Sequence, residues 1–367
     1  MSEFDYYIKQ GEPSQRERAE AWSIAIGLQD VDGLKTSQYL RDTARRHIEG
    51  EIGYEESKRL VDSYYAAQPP MLRDHDTEEA DKVSLHITQI LSEKTFTFSP
   101  AELANIHRRL FVGILPHAGK FRHVNLTKKE WVLNGDTVLY SSYDSISATL
   151  AYDFEQERDY TYRGRDNESI IVHLSKFVSG IWQIHPFREG NTRTTAVFTI
   201  KYLRKLGYQV DNKPFAENAK YFRNALVRAN YQNNQLGIEE TTEFLELFFR
   251  NVLLGENNLL KKRFQHVDWQ KISMQLEQVQ DKKGSEEKAE STEKEAKSSE
   301  KTAKGSEKSS EKILQIMKEQ PEISATQLSK KIGISPRAVE KQISALKAKG
   351  KIRRIGSDKG GHWEVTE

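Results

Sequence analysis

The chain has no cysteine among its 367 residues. That excludes disulfides, thiolate zinc sites and a cysteine nucleophile. Apolar residues are scarce, 37% of the chain against 30% charged, with a mean hydropathy of −0.73. Globular domains usually run about 45–50% apolar and 25% charged, so one stretch is expected to lie outside any packed core. No apolar run approaches the roughly 20 residues that cross a bilayer, and no membrane partner is expected. The opening MSEFDYYIKQGEPSQRERAEAW lacks the basic and then apolar regions of a secretory signal, so a soluble, cytoplasmic protein is the expectation. Neither sign of charge dominates. Lys and Arg number 56 and Asp and Glu 54, a net +2, so any polyanion-binding surface must be local.

What is present divides the chain. At roughly 150 residues per domain, its length suggests two or three domains. Residues 281–310 hold eight lysines, eight acidic residues and three apolar ones, Ala289, Ala296 and Ala303. The alanines share a heptad phase but are too small and sparse for a coiled-coil seam. The stretch reads as a solvated linker between a large block, 1–280, and a small one, 311–367.

The large block is mainly α-helical by pattern. Ile170, Ile171, Leu174, Phe177, Val178, Ile181 and Trp182 recur at helical spacing and predict a buried helix. Val197, Ile200, Tyr202 and Leu203 predict another, and Phe244, Leu245, Leu247, Phe248, Val252 and Leu253 a third. One β signal stands out, at 130–140. There Asn134-Gly135 lies between two apolar stretches, and the pair predicts a hairpin because both turn positions need positive φ.

The run that carries chemistry is His185-Pro186-Phe187-Arg188-Glu189-Gly190-Asn191-Thr192-Arg193. Gly190 supplies a tight turn, and the amides after it open a helix, where free N–H groups make a phosphate site. His185 is the side chain here that can act as a base near neutral pH. Glu189 is a hard oxygen ligand suited to Mg²⁺ shared with phosphates, and Arg193 can hold phosphate oxygens. Taken alone, a histidine before proline is ordinarily a capped core residue. The joint motif shifts the reading to phosphoryl or nucleotidyl transfer.

This run resembles the signature of the Fic (Fido) family, HPFx(D/E)GN(G/K)RxxR, at seven of its nine defined positions. Ala118-Gly119-Lys120-Phe121-Arg122 looks like the family's Gly-x-aromatic-Arg stretch, and the Asn134-Gly135 hairpin sits where the family places its target flap. The resemblance covers roughly 85–260. It implies a helical bundle with a β-hairpin flap and an adenylyltransferase that moves AMP from ATP to a hydroxyl of a target protein. His185 would be the base and Glu189 the Mg²⁺ ligand. Phe187, Arg188, Gly190, Asn191, Thr192 and Arg193 would form the nucleotide-binding loop, with Phe187 as its core anchor. Tyr221, on a helix at 220–230 with Asn224, is a further nucleotide candidate. The flap, Leu133, Asn134 and Gly135, would hold the target segment by strand addition. Two positions depart. Thr192 stands for Gly or Lys, and Ala196 stands for the second Arg, which grips the γ-phosphate. His107, His117 and His123 show no zinc spacing.

Many Fic proteins also carry an inhibitory helix of pattern (S/T)xxxE(G/N), and 1–68 resembles that antitoxin-like segment. Ser23 fits its first position, but Gly27 stands where the glutamate belongs. Glu49-Gly50 and Glu256-Asn257 keep the pattern's end but have Arg45 and Val252 four residues earlier. The expectation is a segment that packs on the catalytic domain, 69–280, without the usual brake.

The last block, 311–367, carries twelve Lys and Arg against seven acidic residues. A helix with Ile313 and Met317 stops at Pro321, Ser324 caps a second, and Ser335-Pro336 opens a third. A two-stranded wing follows. The pattern resembles bacterial winged-helix regulators, with Arg337 and Lys341 entering the major groove and Arg353, Arg354 and Lys359 on phosphates. Three readings stay open: an AMP transferase with a DNA-binding module, a phosphotransferase or other nucleotidyltransferase of the same fold, and a nucleotide-sensing regulator without transfer. A homo-oligomer is also left open.

Overall fold

Apolar residues at helical spacing become a run of helices: α1 (Asp5–Gln10), α2 (Pro13–Gly27), α3 (Gln38–Glu49), α4 (Tyr54–Ala66), α5 (His75–Ser92), α6 (Pro100–Phe111), α7 (Ile146–Asp159), α8 (Asn167–Ile184), α9 (Asn191–Lys205), α10 (Lys213–Glu217), α11 (Ala219–Arg228) and α12 (Glu243–Leu254). The computed structural model describes residues 3–269, 310–355 and 361–366. The stretch expected as a linker lies, but for Ser310, outside them. The chain separates into two units, Met1–Gln270 and Lys271–Glu367.

In the first unit α9 is the spine. Every residue from Asn191 to Leu203 is buried, the mark of a helix enclosed on all sides. The stripe read from the sequence on α8, Ile171 through Trp182, packs in the same core with Val83 and Ile87 of α5, Leu103 and Phe111 of α6, Phe222 of α11 and Phe248 of α12. A second, smaller core joins Trp22 of α2 to Leu40, Ile48, Val61 and Tyr65. Helix α2 serves both. Ala21, Ile24, Ala25 and Leu28 face the large core, and Ala19 and Trp22 the small one. Its Gly27 lies so close to α10 that an added Cβ would sit 2.0 Å from the Ala216 carbonyl oxygen.

The expected hairpin at 130–140 does not form. The first stretch folds as a 3₁₀ turn, Trp131–Leu133, and neither strand among the described residues lies in this unit. Val132 and Leu133 are both buried while Trp131 is 59% exposed, so the alternation a strand needs is broken. The Glu130 carbonyl instead accepts the amides of Leu133 and Gly135 at 3.1 and 2.9 Å. The turn residues were read correctly, since Asn134 and Gly135 have φ of 58° and 86°.

The second unit has α13, described over 310–319, then α14 (Ala325–Ile332), α15 (Pro336–Ala348), β1 (Ile352–Ile355) and β2 (His362–Val365). The strands are antiparallel, Ile352 opposite Val365. Ser324 and Gln327 form a reciprocal capping box on α14, and the Ser335 hydroxyl accepts the Ala338 amide at the start of α15. Ile313, Met317, Leu328, Val339, Ile343, Leu346 and Trp363 close its core. It is a winged helix, as the sequence suggested.

Candidate active site

The run 185–193 is the turn from α8 into α9. His185 ends α8 in the left-handed region at φ 50°. A residue other than glycine stays there, at a cost of order 1–3 kcal/mol, only where its surroundings hold it. Arg122, 3% exposed, does the holding. Its Nε donates to the His185 carbonyl at 2.8 Å, a terminal nitrogen to that of Ile184 at 3.3 Å, and its amide to that of Pro186 at 2.8 Å. Asn191 closes the turn from the other end. Its Oδ1 accepts the Phe187 amide at 2.9 Å, and its Nδ2 donates to the Phe187 carbonyl at 2.8 Å. That side chain shapes the loop.

Phe187 is buried and stacks on His107, ring centroids 3.7 Å apart. The Gly119 amide donates to His107 Nδ1 at 2.8 Å, which leaves Nε2 as the protonated nitrogen, donating to the Glu189 carbonyl at 3.1 Å. Burial pushes His107 down to about 4, so this neutral tautomer persists at neutral pH. Gly190 follows at φ 72°, and a Cβ there would lie 2.3 Å from the Phe111 ring. No side chain caps α9, so its first amides are left for a ligand or solvent.

His185 itself is buried beneath Tyr140, ring centroids 4.1 Å apart, with the Trp182 edge at 5.3 Å. Neither ring nitrogen has a hydrogen-bond partner among the described residues. Burial holds its pKa well below the ordinary histidine range, and the charge of Lys128, then Arg122 and Arg223, lowers it further. The ring is therefore neutral at pH 7 and able to take a proton.

The other expected residues divide. Arg188 and Glu189 are exposed, and the Glu189 carboxylate makes no ion pair among the described residues. The Thr192 hydroxyl accepts the Trp182 indole N–H at 3.0 Å. Arg193 is 3% exposed, with Glu79 at 2.6 Å, Gln29 at 3.0 Å, Asp32 at 3.0 Å and the Phe111 ring at 4.9 Å. Three expectations need correction. Phe187 is the anchor only. Tyr221 is 2% exposed beside Phe244 and Phe248, and Leu133 is 2% exposed in the large core; neither side chain is placed to touch a ligand. Asn134 and Gly135 are exposed, the former bonded to Asp268. Ala196 is fully buried, so no cation reaches the site from there. Glu49 bonds Tyr7, and Glu256 pairs with Arg250; neither touches the site.

The sequence reading missed Tyr140, Lys128 and Arg223, and dismissed His107 for want of zinc spacing. They lie tens of residues from the motif, and only the packing of α6, α11 and the 124–141 loop brings them to it.

Residues 97–203, from the start of α6 through the loop and most of α9, match the family model described as Fic/DOC family. The chain carries a Fic/DOC family domain. A probable protein adenylyltransferase of Sinorhizobium fredii, y4lH, is 31% identical over 34% of this chain and 61% of its own length. Protein adenylyltransferase VbhT of Bartonella schoenbuchensis is 28% identical over 31% of this chain and 23% of its own. This chain thus spans less than two thirds of either relative. The solved Fic domain of a Bartonella effector protein (Bartonella sp. AR 15-3) aligns with 49% of this chain and 81% of its own at 20% identity, with a TM-score of 0.39, a likeness too low to add to the assignment.

Residues 307–353 match a winged helix-turn-helix described as DNA-binding. On α15, Arg337 and Lys341 are exposed one turn apart. The wing arginines are committed elsewhere. Arg353 pairs with Glu364, while Arg354 lies 4.8 Å over the Trp363 ring and donates to the Gly361 carbonyl. These contacts brace the wing. Lys359 lies outside the described residues.

Proposed function

We propose that the Fic domain, within 69–280, transfers AMP from ATP to a hydroxyl of a target protein. The observation that carries this reading is a neutral, unpartnered His185 at the mouth of an uncapped helix. A ring nitrogen of His185 accepts the hydroxyl proton as that oxygen attacks the α-phosphorus. The bond from the α-phosphorus to the bridging oxygen breaks, and pyrophosphate leaves. The first amides of α9 hold phosphate oxygens. Phosphate charge beside His185 offsets that of Lys128 and Arg223 and so raises the ring's basicity toward the working range.

Among the described residues, no group of three or more His, Asp or Glu side chains is placed to hold a metal. A single carboxylate fits Mg²⁺, which is commonly held by one or two carboxylates with substrate phosphates and water, and the exposed Glu189 supplies one. When bound, the ion would neutralise charge on the phosphates. Tyr140 covers the base, so the target segment has to lift that ring for its hydroxyl to reach His185.

Incubation with protein extract, Mg²⁺ and ATP labelled at the α- or the γ-position tests the reading. Protein label from the α-position supports AMP transfer. Label from the γ-position only would replace it with the phosphotransferase reading, which the departures at Thr192 and Ala196 favour. No label from either position leaves the nucleotide-sensing regulator. The second unit, 311–367, is proposed to bind duplex DNA through Arg337 and Lys341.

A further inference from the structure

The motif lacks a second arginine, yet a second guanidinium stands beside the first. Arg223 of α11 donates to both oxygens of Glu130 at 2.9 and 3.1 Å and to the Val31 carbonyl at 2.9 Å. Arg193 is fixed as firmly by Glu79 and Gln29. Both arginines then turn toward one carboxylate, Asp32, at the end of the 3₁₀ turn Leu28–Asp32 that follows α2. That carboxylate is poorly held. Its Oδ2 is 3.0 Å from Arg193 Nε, but that N–H is not aligned on it. Its Oδ1 is 3.4 Å from Arg223. Its side chain is 34% exposed, and Gly33 follows at φ 76°. Two locked forks thus share an anion that fits neither well.

We propose that Arg193 and Arg223 form a clamp for the terminal phosphates of a polyphosphate, with Arg223 supplying the cation missing at Ala196, and that Asp32 occupies the clamp until the phosphate displaces it. This deepens the nucleotidyl-transfer reading and rests on it for the identity of the ligand. Two guanidinium forks suit a phosphate, which offers more oxygens and more charge than one carboxylate. The local charges agree. Arg193, Arg223 and Lys128 balance Asp32, Glu79 and Glu130, and withdrawal of Asp32 leaves one positive charge in excess. Glu189, close enough to influence Lys128, is the carboxylate assigned to the metal. His185 lies eight residues before Arg193 on the same loop and helix, and the charge of Arg223 also acts on it.

The test is calorimetric titration of the full chain with inorganic pyrophosphate and Mg²⁺, a readout independent of transfer. Asp32→Asn removes the competing charge and should tighten binding roughly tenfold. Arg223→Gln should weaken it by a similar factor, the usual size of one charge-assisted contact. Unchanged or weaker binding in Asp32→Asn overturns the occupant role. Wild-type binding in folded Arg223→Gln overturns the clamp. Should Arg223→Gln fail to fold, Arg223→Lys replaces it: the compact ammonium cannot span Glu130 and a phosphate, and unchanged affinity there also overturns the clamp. An absence of AMP transfer in the wild type would sink the functional reading and leave these binding results standing.

Discussion

Gly27→Ala sets two effects of opposite sign against each other. Residue 27 is the last of α2, with helical neighbours and no positive φ. On propensity alone, alanine in place of glycine should stabilise such a position by about 1 kcal/mol. The structure opposes this, because the new Cβ would lie 2.0 Å from the Ala216 carbonyl oxygen and 2.6 Å from its carbon. Both are backbone atoms, so no rotamer change relieves the overlap, and α2 and α10 must part. Overpacking of this kind costs typically 1–3 kcal/mol, and a backbone clash belongs at the top of that range. The net is a loss of about 2 kcal/mol. For a unit of this size that lowers Tm by roughly 4–8 °C. Differential scanning calorimetry of the full chain reads it directly. An unchanged or higher Tm would refute the close approach of α2 to α10. The same geometry explains why a glutamate brake cannot be grafted here, since the position has no room for a first side-chain carbon.

Other outcomes follow from the site and the second unit. His185→Ala should lower AMP transfer about 10²–10⁴-fold, the range for one general base, with the Tm near wild type; a near-wild-type rate removes His185 from the mechanism. Burial pushes His47 and His107 down to about 4, and His185 is also held low. Each stays neutral in the folded chain where the unfolded chain, near pKa 6.5, takes up a proton. Their contribution is full above pH 6.5 and is lost as the pH falls toward 4, by up to ~1.4 kcal/mol per pH unit for each ring. Urea unfolding between pH 7 and 5 should show that slope, and His47→Gln should reduce it; a flat profile contradicts the assignment. The full chain should bind duplex DNA with affinity that falls steeply between 50 and 200 mM salt, and Arg337→Ala with Lys341→Ala should flatten that dependence. Fluorescence anisotropy measures both, and binding indifferent to salt would count against the DNA reading.

Helices α8, α9 and α12 were legible because their apolar residues recur at helical spacing, whereas short helices such as α1 and α10 carry too few turns to show a period. The active-site loop was legible because its chemistry is contiguous in sequence. The hairpin was misread because Val132 and Leu133 both turn inward, a choice made by the core beneath them and by the pairing of Val132 with Val267, not by local pattern. Asn191 was expected at the phosphates on the strength of the family resemblance. Its actual bonds to Phe187 depend on a loop shape that the sequence does not state. Arg122 stood in a recognised stretch without a role, and its bonds to successive carbonyls became visible only when distant segments met. The wing arginines were expected on phosphates from the winged-helix resemblance; their contacts with Glu364 and Trp363 across the strand pair were not legible in the sequence.

Because α2 contributes to two cores at once, the N-terminal segment is part of the packed body of the first unit. Stripping it away would expose the faces of α5 and α10 that α2 covers, and Arg193 of α9 would lose Gln29 and Asp32, keeping Glu79 of α5. Leu28 and Val31 of the turn that follows α2 are themselves held in the large core, so motion there is confined to its exposed end at Asp32 and Gly33.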